Sequence, residues 1–216
     1  MKTLTIDTDQ DLTITAGLVF AAQTSGTTIE GTVDASSSSG KINIDAAGAA
    51  STVSVTGGSG DDTIGMVATL TLNDVIDGGA GTDTLTMNAA ALGTEFTNVK
   101  NIETVAYNAA TAGVALDVSK LSDGVTKIVL DVSDADHNNG AKLASTVTNL
   151  GSQAVVIKHT VADQADTGGA GAEIDSDGQK YTITGAVDTS ADSVNVELDA
   201  ISTDGCLLYT SPSPRD

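Results

Sequence analysis

Short runs in which an aliphatic or aromatic residue alternates with Thr, Ser or Asn recur along the chain, and they restrict it to a β architecture. They are Leu4-Thr-Ile6, Leu12-Thr-Ile14, Ile42-Asn-Ile44, Val53-Ser-Val55, Leu70-Thr-Leu72, Leu85-Thr-Met87, Tyr181-Thr-Ile183 and Val194-Asn-Val196. Alternation with a period of two buries one face of a strand and leaves the other in water. Gly, Asp, Ser and Asn separate the runs at intervals of roughly 9 to 14 residues, as turns would. A β-sandwich and a β-solenoid both produce this pattern. Residues 1–205 contain no proline, which a stacked parallel ladder tolerates badly because it removes a donor. Aromatics make up only 2% of the chain, so its interior needs another filling, and thin, regular stacks of small β-branched side chains are one way to supply it. Apolar stretches headed by Val105, Leu116 and Ile128 follow one another as stacked rungs would. The expected fold is therefore all-β, a parallel β-solenoid of the β-roll or β-helix kind.

One departure is expected. Leu143, Val147 and Leu150 share a helical face by i, i+4, i+7 spacing, and Gly151 can close it, which predicts a short helix near 141–150. Residues 1–140 then form a solenoid with glycine turns at 57–86, and residues 141–205 a further β region. The segments 36–40 and 163–171 read as exposed loops. The last stretch, 206–216, holds the only Cys (Cys206), the only Arg (Arg215) and both prolines (Pro212, Pro214). So abrupt a change in composition marks a foreign or disordered tail, similar to the translated adapter sequence at the ends of some environmental gene fragments. Without Cys in 1–205, disulfides and thiolate metal sites are excluded there.

The net charge of −20 makes nucleic acid and anionic membrane surfaces poor partners. It leaves two readings open: carboxylates that keep the chain soluble, or carboxylates that bind cations. No apolar run reaches the length of a membrane span. Met1 to Thr15 reads as strand and lacks the charged and apolar regions of a secretory leader. The chain is then cytosolic, leaves by a route without an N-terminal signal, or is missing its true start.

Two nonapeptides carry the chemistry. Gly57-Gly-Ser-Gly-Asp-Asp-Thr-Ile-Gly65 and Gly78-Gly-Ala-Gly-Thr-Asp-Thr-Leu-Thr86 share the pattern G-G-x-G-x-D-x-U-x, where U is a large aliphatic residue. Gly57, Gly58 and Gly60, and likewise Gly78, Gly79 and Gly81, permit a tight turn that exposes backbone carbonyls. Asp62 and Asp83 close the turns with carboxylates, and Ile64 and Leu85 point inward from the strands that follow. Calcium takes six to eight oxygen ligands, which carbonyls and carboxylates supply. Asn73-Asp-Val-Ile-Asp77 reads as a repeat that has lost its glycines. Successive turns of a roll alternate sides. The Asp62 and Asp83 turns therefore belong on one side, with one calcium between them, and the Asp74 turn on the other. A solenoid turn without metal is the alternative.

Other candidates are weaker. Gly168-Gly-Ala-Gly-Ala-Glu173 has Glu where Asp belongs, and Asp134-Ala-Asp-His-Asn-Asn-Gly140 lacks the glycine and closing glutamate of an EF-hand loop. Asp175-Ser-Asp-Gly178 reads as a turn, and His159 as a strand residue. No G-x-S-x-G or H-E-x-x-H is present, and no enzyme activity is expected of the chain.

The nonapeptides resemble those of RTX proteins, the haemolysin-type calcium-binding repeats. The wider stretch, with Phe96-Thr-Asn-Val-Lys-Asn-Ile-Glu-Thr-Val105, Leu116-Asp-Val-Ser-Lys-Leu121 and Val125-Thr-Lys-Ile-Val-Leu130, is similar to bacterial S-layer and other large surface proteins. The resemblance implies type I secretion by a C-terminal signal, folding outside the cell with calcium, and a place at the cell surface. It implies self-assembly or cell-surface polysaccharide as partners, although the scarcity of rings speaks against a sugar-stacking face. With two good repeats rather than a long array, one local calcium staple is expected in a largely metal-free solenoid. The expected role is structural, as a segment of an S-layer-like or adhesin protein. The alternative is a non-catalytic RTX region of a larger secreted protease, lipase or epimerase.

Overall fold

The computed structural model describes residues 2–15, 17–18, 29–46, 52–66, 70–87, 95–108, 115–131, 144–160, 180–185 and 196–201. In chain order its strands are β1 (Lys2–Thr5), β2 (Leu12–Ile14), β3 (Gly31–Asp34), β4 (Ile42–Asp45), β5 (Val53–Thr56), β6 (Thr63–Gly65), β7 (Val75–Asp77) and β8 (Thr84–Met87). They continue as β9 (Val99–Lys100), β10 (Thr104–Asn108), β11 (Ala115–Asp117), β12 (Lys127–Asp131), β13 (Ala144–Leu150), β14 (Ala154–Thr160), β15 (Lys180–Gly185) and β16 (Val196–Ile201). Odd strands β1-β3-β5-β7-β9 form one sheet, and all the even strands, β2 to β16, form a second. A third sheet, β11-β13-β15, continues the odd series. Each strand pairs in parallel with a strand two places away along the chain, the odd series breaking only between β9 and β11. The chain therefore winds as a parallel β-solenoid, visiting one face and then the other on each coil, and among the described residues it contains no α-helix.

Strict register puts like upon like. Ile14, Ile44, Ile64, Leu85, Val105, Ile128 and Val155 occupy one column of the even sheet. Leu4, Val33, Val55, Ile76 and Val99 form the opposing column. From Val33 and Ile44 onward these residues are buried, whereas Leu4, Leu12 and Ile14 of the first coil are only partly covered. Thr63, Thr84 and Thr104 stack on the outside. Each inward aliphatic touches its copies one coil above and below, at about 4.8 Å spacing. This is how so few aromatic rings suffice to fill the interior.

Three local expectations need correction. Residues 144–150 form strand β13, not part of a helix. Val147 pairs with Leu116, and β-branched Thr146, Val147 and Thr148 favour the extended chain. The register slips between Val147 and Leu150, where Asn149 has φ 56°, so two residues three apart both turn inward. A bulged strand thus imitates helical spacing. The run Leu70-Thr-Leu72 is a turn and not a strand: Asp74 Oδ2 accepts from the Thr71 N–H (2.7 Å) and hydroxyl (3.0 Å), and Leu72 is left exposed. Residues 36–40 are exposed only at Ser36, Ser37 and Ser39, whereas the buried Ser38 hydroxyl donates to the Ile6 carbonyl (3.1 Å) and accepts from the Thr8 N–H (3.2 Å). Strands β14 and β16 extend the even sheet, so the strands beyond residue 141 continue the solenoid. The candidates at 134–140, 168–173 and 175–178, the loop 163–171 and the tail 206–216 lie outside the described residues.

Candidate metal centre

The turns that connect odd strands to even strands fall on one edge. Residues 35–41, 57–62 and 78–83 stack there, one coil apart. Ser59 N–H donates to the Ser38 carbonyl (2.9 Å), and Ala80 N–H to the Gly58 carbonyl (3.0 Å). Glycine is required by this closeness. A Cβ on Gly58 would meet the Ser38 carbonyl, one on Gly60 would stand 2.8 Å from the Gly40 carbonyl, and one on Gly79 would meet the Gly58 carbonyl. Gly79 and Gly81 also sit at φ 100° and 129°. The eight residues expected at the site, Gly57, Gly58, Gly60, Asp62, Gly78, Gly79, Gly81 and Asp83, thus come together in one column. Asp74 lies on the opposite edge, between β6 and β7.

Each buried aspartate ties its coil to the one before it. Asp62 Oδ1 accepts from the Ile42 N–H (2.8 Å), and Asp62 Oδ2 accepts from the Gly58 N–H of its own turn (2.6 Å). Asp74 repeats the arrangement on the other edge, where Oδ1 accepts from the Val53 N–H (2.8 Å) and Oδ2 from Thr71. Asp83 Oδ1 accepts from the Asp62 N–H (2.7 Å), and Glu103 Oε2 from the Asp83 N–H (2.7 Å). The Asp62 and Asp83 carboxylates therefore stand head to tail along the solenoid, each reaching toward its N-terminus. They are stacked as the spacing predicts, but they do not converge on one point between the two turns.

The two carboxylates also differ in how they are satisfied. Both oxygens of Asp62 hold an amide. Asp83 Oδ2 is buried with no hydrogen-bond partner, in a residue that is 0% exposed. The amide that would serve it by analogy, on Gly79, donates instead to Asp77 Oδ1 (3.2 Å). Burial pushes the Asp83 carboxyl up to about 6, and the charges of Asp62, Glu103 and Asp61 push the same way, against the hydrogen bond from the Asp62 amide. A carboxylate oxygen in this state is a strong ligand for a hard cation, which would replace the water it has lost. No three acidic, His or Cys side chains surround one point among the described residues. Any ion here would draw most of its shell from backbone carbonyls and water, as the glycine-turn chemistry implies.

Sequence reasoning missed three residues of this edge. Ser38 and Gly40 extend the column toward the N-terminus without the nonapeptide. Glu103, one position before β10, follows Asp62 and Asp83, and the strand register alone reveals it. Compared with known proteins, the chain matches no family model, no curated protein and no solved structure.

Proposed function

We propose that this chain is a calcium-binding structural segment of a secreted bacterial surface protein, of the RTX or S-layer-like kind, in which calcium stabilises the β-solenoid. The observation that carries the reading is the buried, unpartnered Asp83 Oδ2 within a column of two stacked G-G-x-G-x-D turns. An uncompensated buried carboxylate destabilises the folded state, and a bound cation offsets it, coupling calcium to folding. The carboxylates stacked at one-coil intervals, and the net charge of −20, add repulsion that a divalent ion relieves. Outside the cell calcium is abundant, so a secreted location suits such a staple. The parallel ladders, with their outward Thr and Asp, suit a scaffold. Thermal melts of the full chain in calcium and in chelator test the reading. The melting temperature is expected to rise with calcium, and equal curves would overturn it.

A further inference from the structure

The two glycine turns share a motif but not a setting. The Gly57–Asp62 turn is sandwiched between the 35–41 turn and the Gly78–Asp83 turn, and Gly58 is buried. The Gly78–Asp83 turn is followed one coil on by a much shorter connection. Between β7 and β8 the chain spends residues 78–83, whereas between β9 and β10 it spends only Asn101, Ile102 and Glu103. The arc Ala80-Gly81-Thr82 is exposed, as are Ser59 and Asp61 of the first turn. Asn101 fits the short connection by taking φ 53°, and its side-chain amide donates to Asp77 Oδ1 (2.7 Å). Its carbonyl and Asp83 Oδ2 both face the side of Gly78 where a Cβ would project, as the Gly78 carbonyl and Asp62 Oδ2 do at Gly57 one coil earlier. A Cβ there would stand 2.6 Å from Asp83 Oδ2 and would collide with the Asn101 oxygen.

We infer that the cation of this edge binds on the C-terminal side of the second glycine turn, at Asp83 Oδ2 and the main-chain carbonyl of Asn101, and not between Asp62 and Asp83. The placement rests on the calcium reading above and narrows it. Asp62 has no oxygen in need of a cation, because two amides already hold its carboxylate. Asp83 has one. The negative charge of Glu103, bonded to the Asp83 amide, adds attraction, and the nearby ammonium of Lys100 is engaged with Asp77 (2.9 Å). Two protein oxygens leave most of the shell of a hard divalent cation to water.

Thermal melts of the full chain at neutral pH, with calcium chloride and with chelator, test the placement in wild type, Asp83→Asn and Asp62→Asn. Asparagine at 83 keeps an oxygen for the Asp62 amide and removes the buried charge. Asp83→Asn is therefore expected to melt no lower than wild type in chelator and to lose the calcium increment. Asp62→Asn sets an NH2 against an amide donor, so it is expected to melt lower in both conditions while keeping the increment. A wild type without a calcium increment would sink the calcium reading itself. An increment that survives in Asp83→Asn overturns the placement alone, as does one lost in Asp62→Asn. An Asp83→Asn chain that does not fold also contradicts it, since a neutral amide should be tolerated there. If Asp62→Asn fails to fold, the Asp83→Asn result decides.

Discussion

The turn at 57–62 and the turn at 78–83 have nearly the same sequence, and the structure treats them differently. The first has a coil on both sides, buries Gly58 and closes its aspartate with two amides. The second has a full turn on one side and only the short Asn101–Glu103 connection on the other, carries two glycines at positive φ and leaves one carboxylate oxygen without a partner. The difference teaches that in a solenoid a motif specifies the shape of a turn, while the neighbouring coil decides what its polar groups do. Asp74 supports this from the other edge. It has no glycines before it, yet it holds the Val53 amide and the Thr71 turn just as Asp62 holds Ile42 and Gly58. The aspartate at these turns is first a backbone acceptor, and it becomes a candidate ligand only where an oxygen is left over.

The largest effect is expected from packing the sandwiched turn. Gly58→Ala places a methyl group on the Ser38 carbonyl, backbone against backbone, and should destabilise by about 3 kcal/mol. Gly65→Ala, where the nearest atom would be 3.5 Å away, should change stability by well under about 1 kcal/mol in chemical denaturation. Equal losses would show that stacking does not set the glycine requirement. Next comes Asp62→Ala, which strips the acceptor from two buried amides and should lower stability by about 2 to 3 kcal/mol. Asp74→Ala should match it within about 1 kcal/mol, having the same two kinds of bond.

The pH dependence sharpens the contrast further. The Asp83 carboxyl titrates near 6 in the fold and near 3.8 when unfolded, so the folded state binds its proton more tightly. Its contribution is fully present below the unfolded value, is lost as pH rises through about 6, and amounts to at most about 3 kcal/mol. Asp77 works in the opposite direction. Burial raises it, but the bonds from Lys100 and Asn101 outweigh burial and hold it below its ordinary value. Denaturant melts in chelator across this range should show the Asp83 step in wild type and not in Asp83→Asn. A flat difference between the two proteins would contradict it. The smallest effect is expected from Lys100→Met. It removes a surface ion pair whose lysine side chain is 65% exposed, and should shift stability by about 0.5 kcal/mol, less in high salt.

Much of this was legible in the sequence. Alternation in Ile42-Asn-Ile44 and Leu85-Thr-Met87 gave strands because each inward residue has a copy one coil away. The pairing of Asp62 with Asp83 followed from turn spacing. Three things were not legible, each for a physical reason. Val147 and Leu150 look helical because a bulge at Asn149 puts odd-spaced residues on one face. Ser38 looks like loop because its burial depends on Ile6 and Thr8, a coil earlier in the chain. The direction of the Asp62 and Asp83 carboxylates depends on which amides lie within reach, and no repeat pattern states that.

On the proposed function, a cation completes the unsatisfied oxygen of Asp83. Crystals of the full chain grown with calcium, and the anomalous difference map from them, test it most directly. A peak is expected within ligand distance of Asp83 Oδ2 and the Asn101 carbonyl. A peak centred between the Asp62 and Asp83 carboxylates, or no peak along this edge, would contradict it.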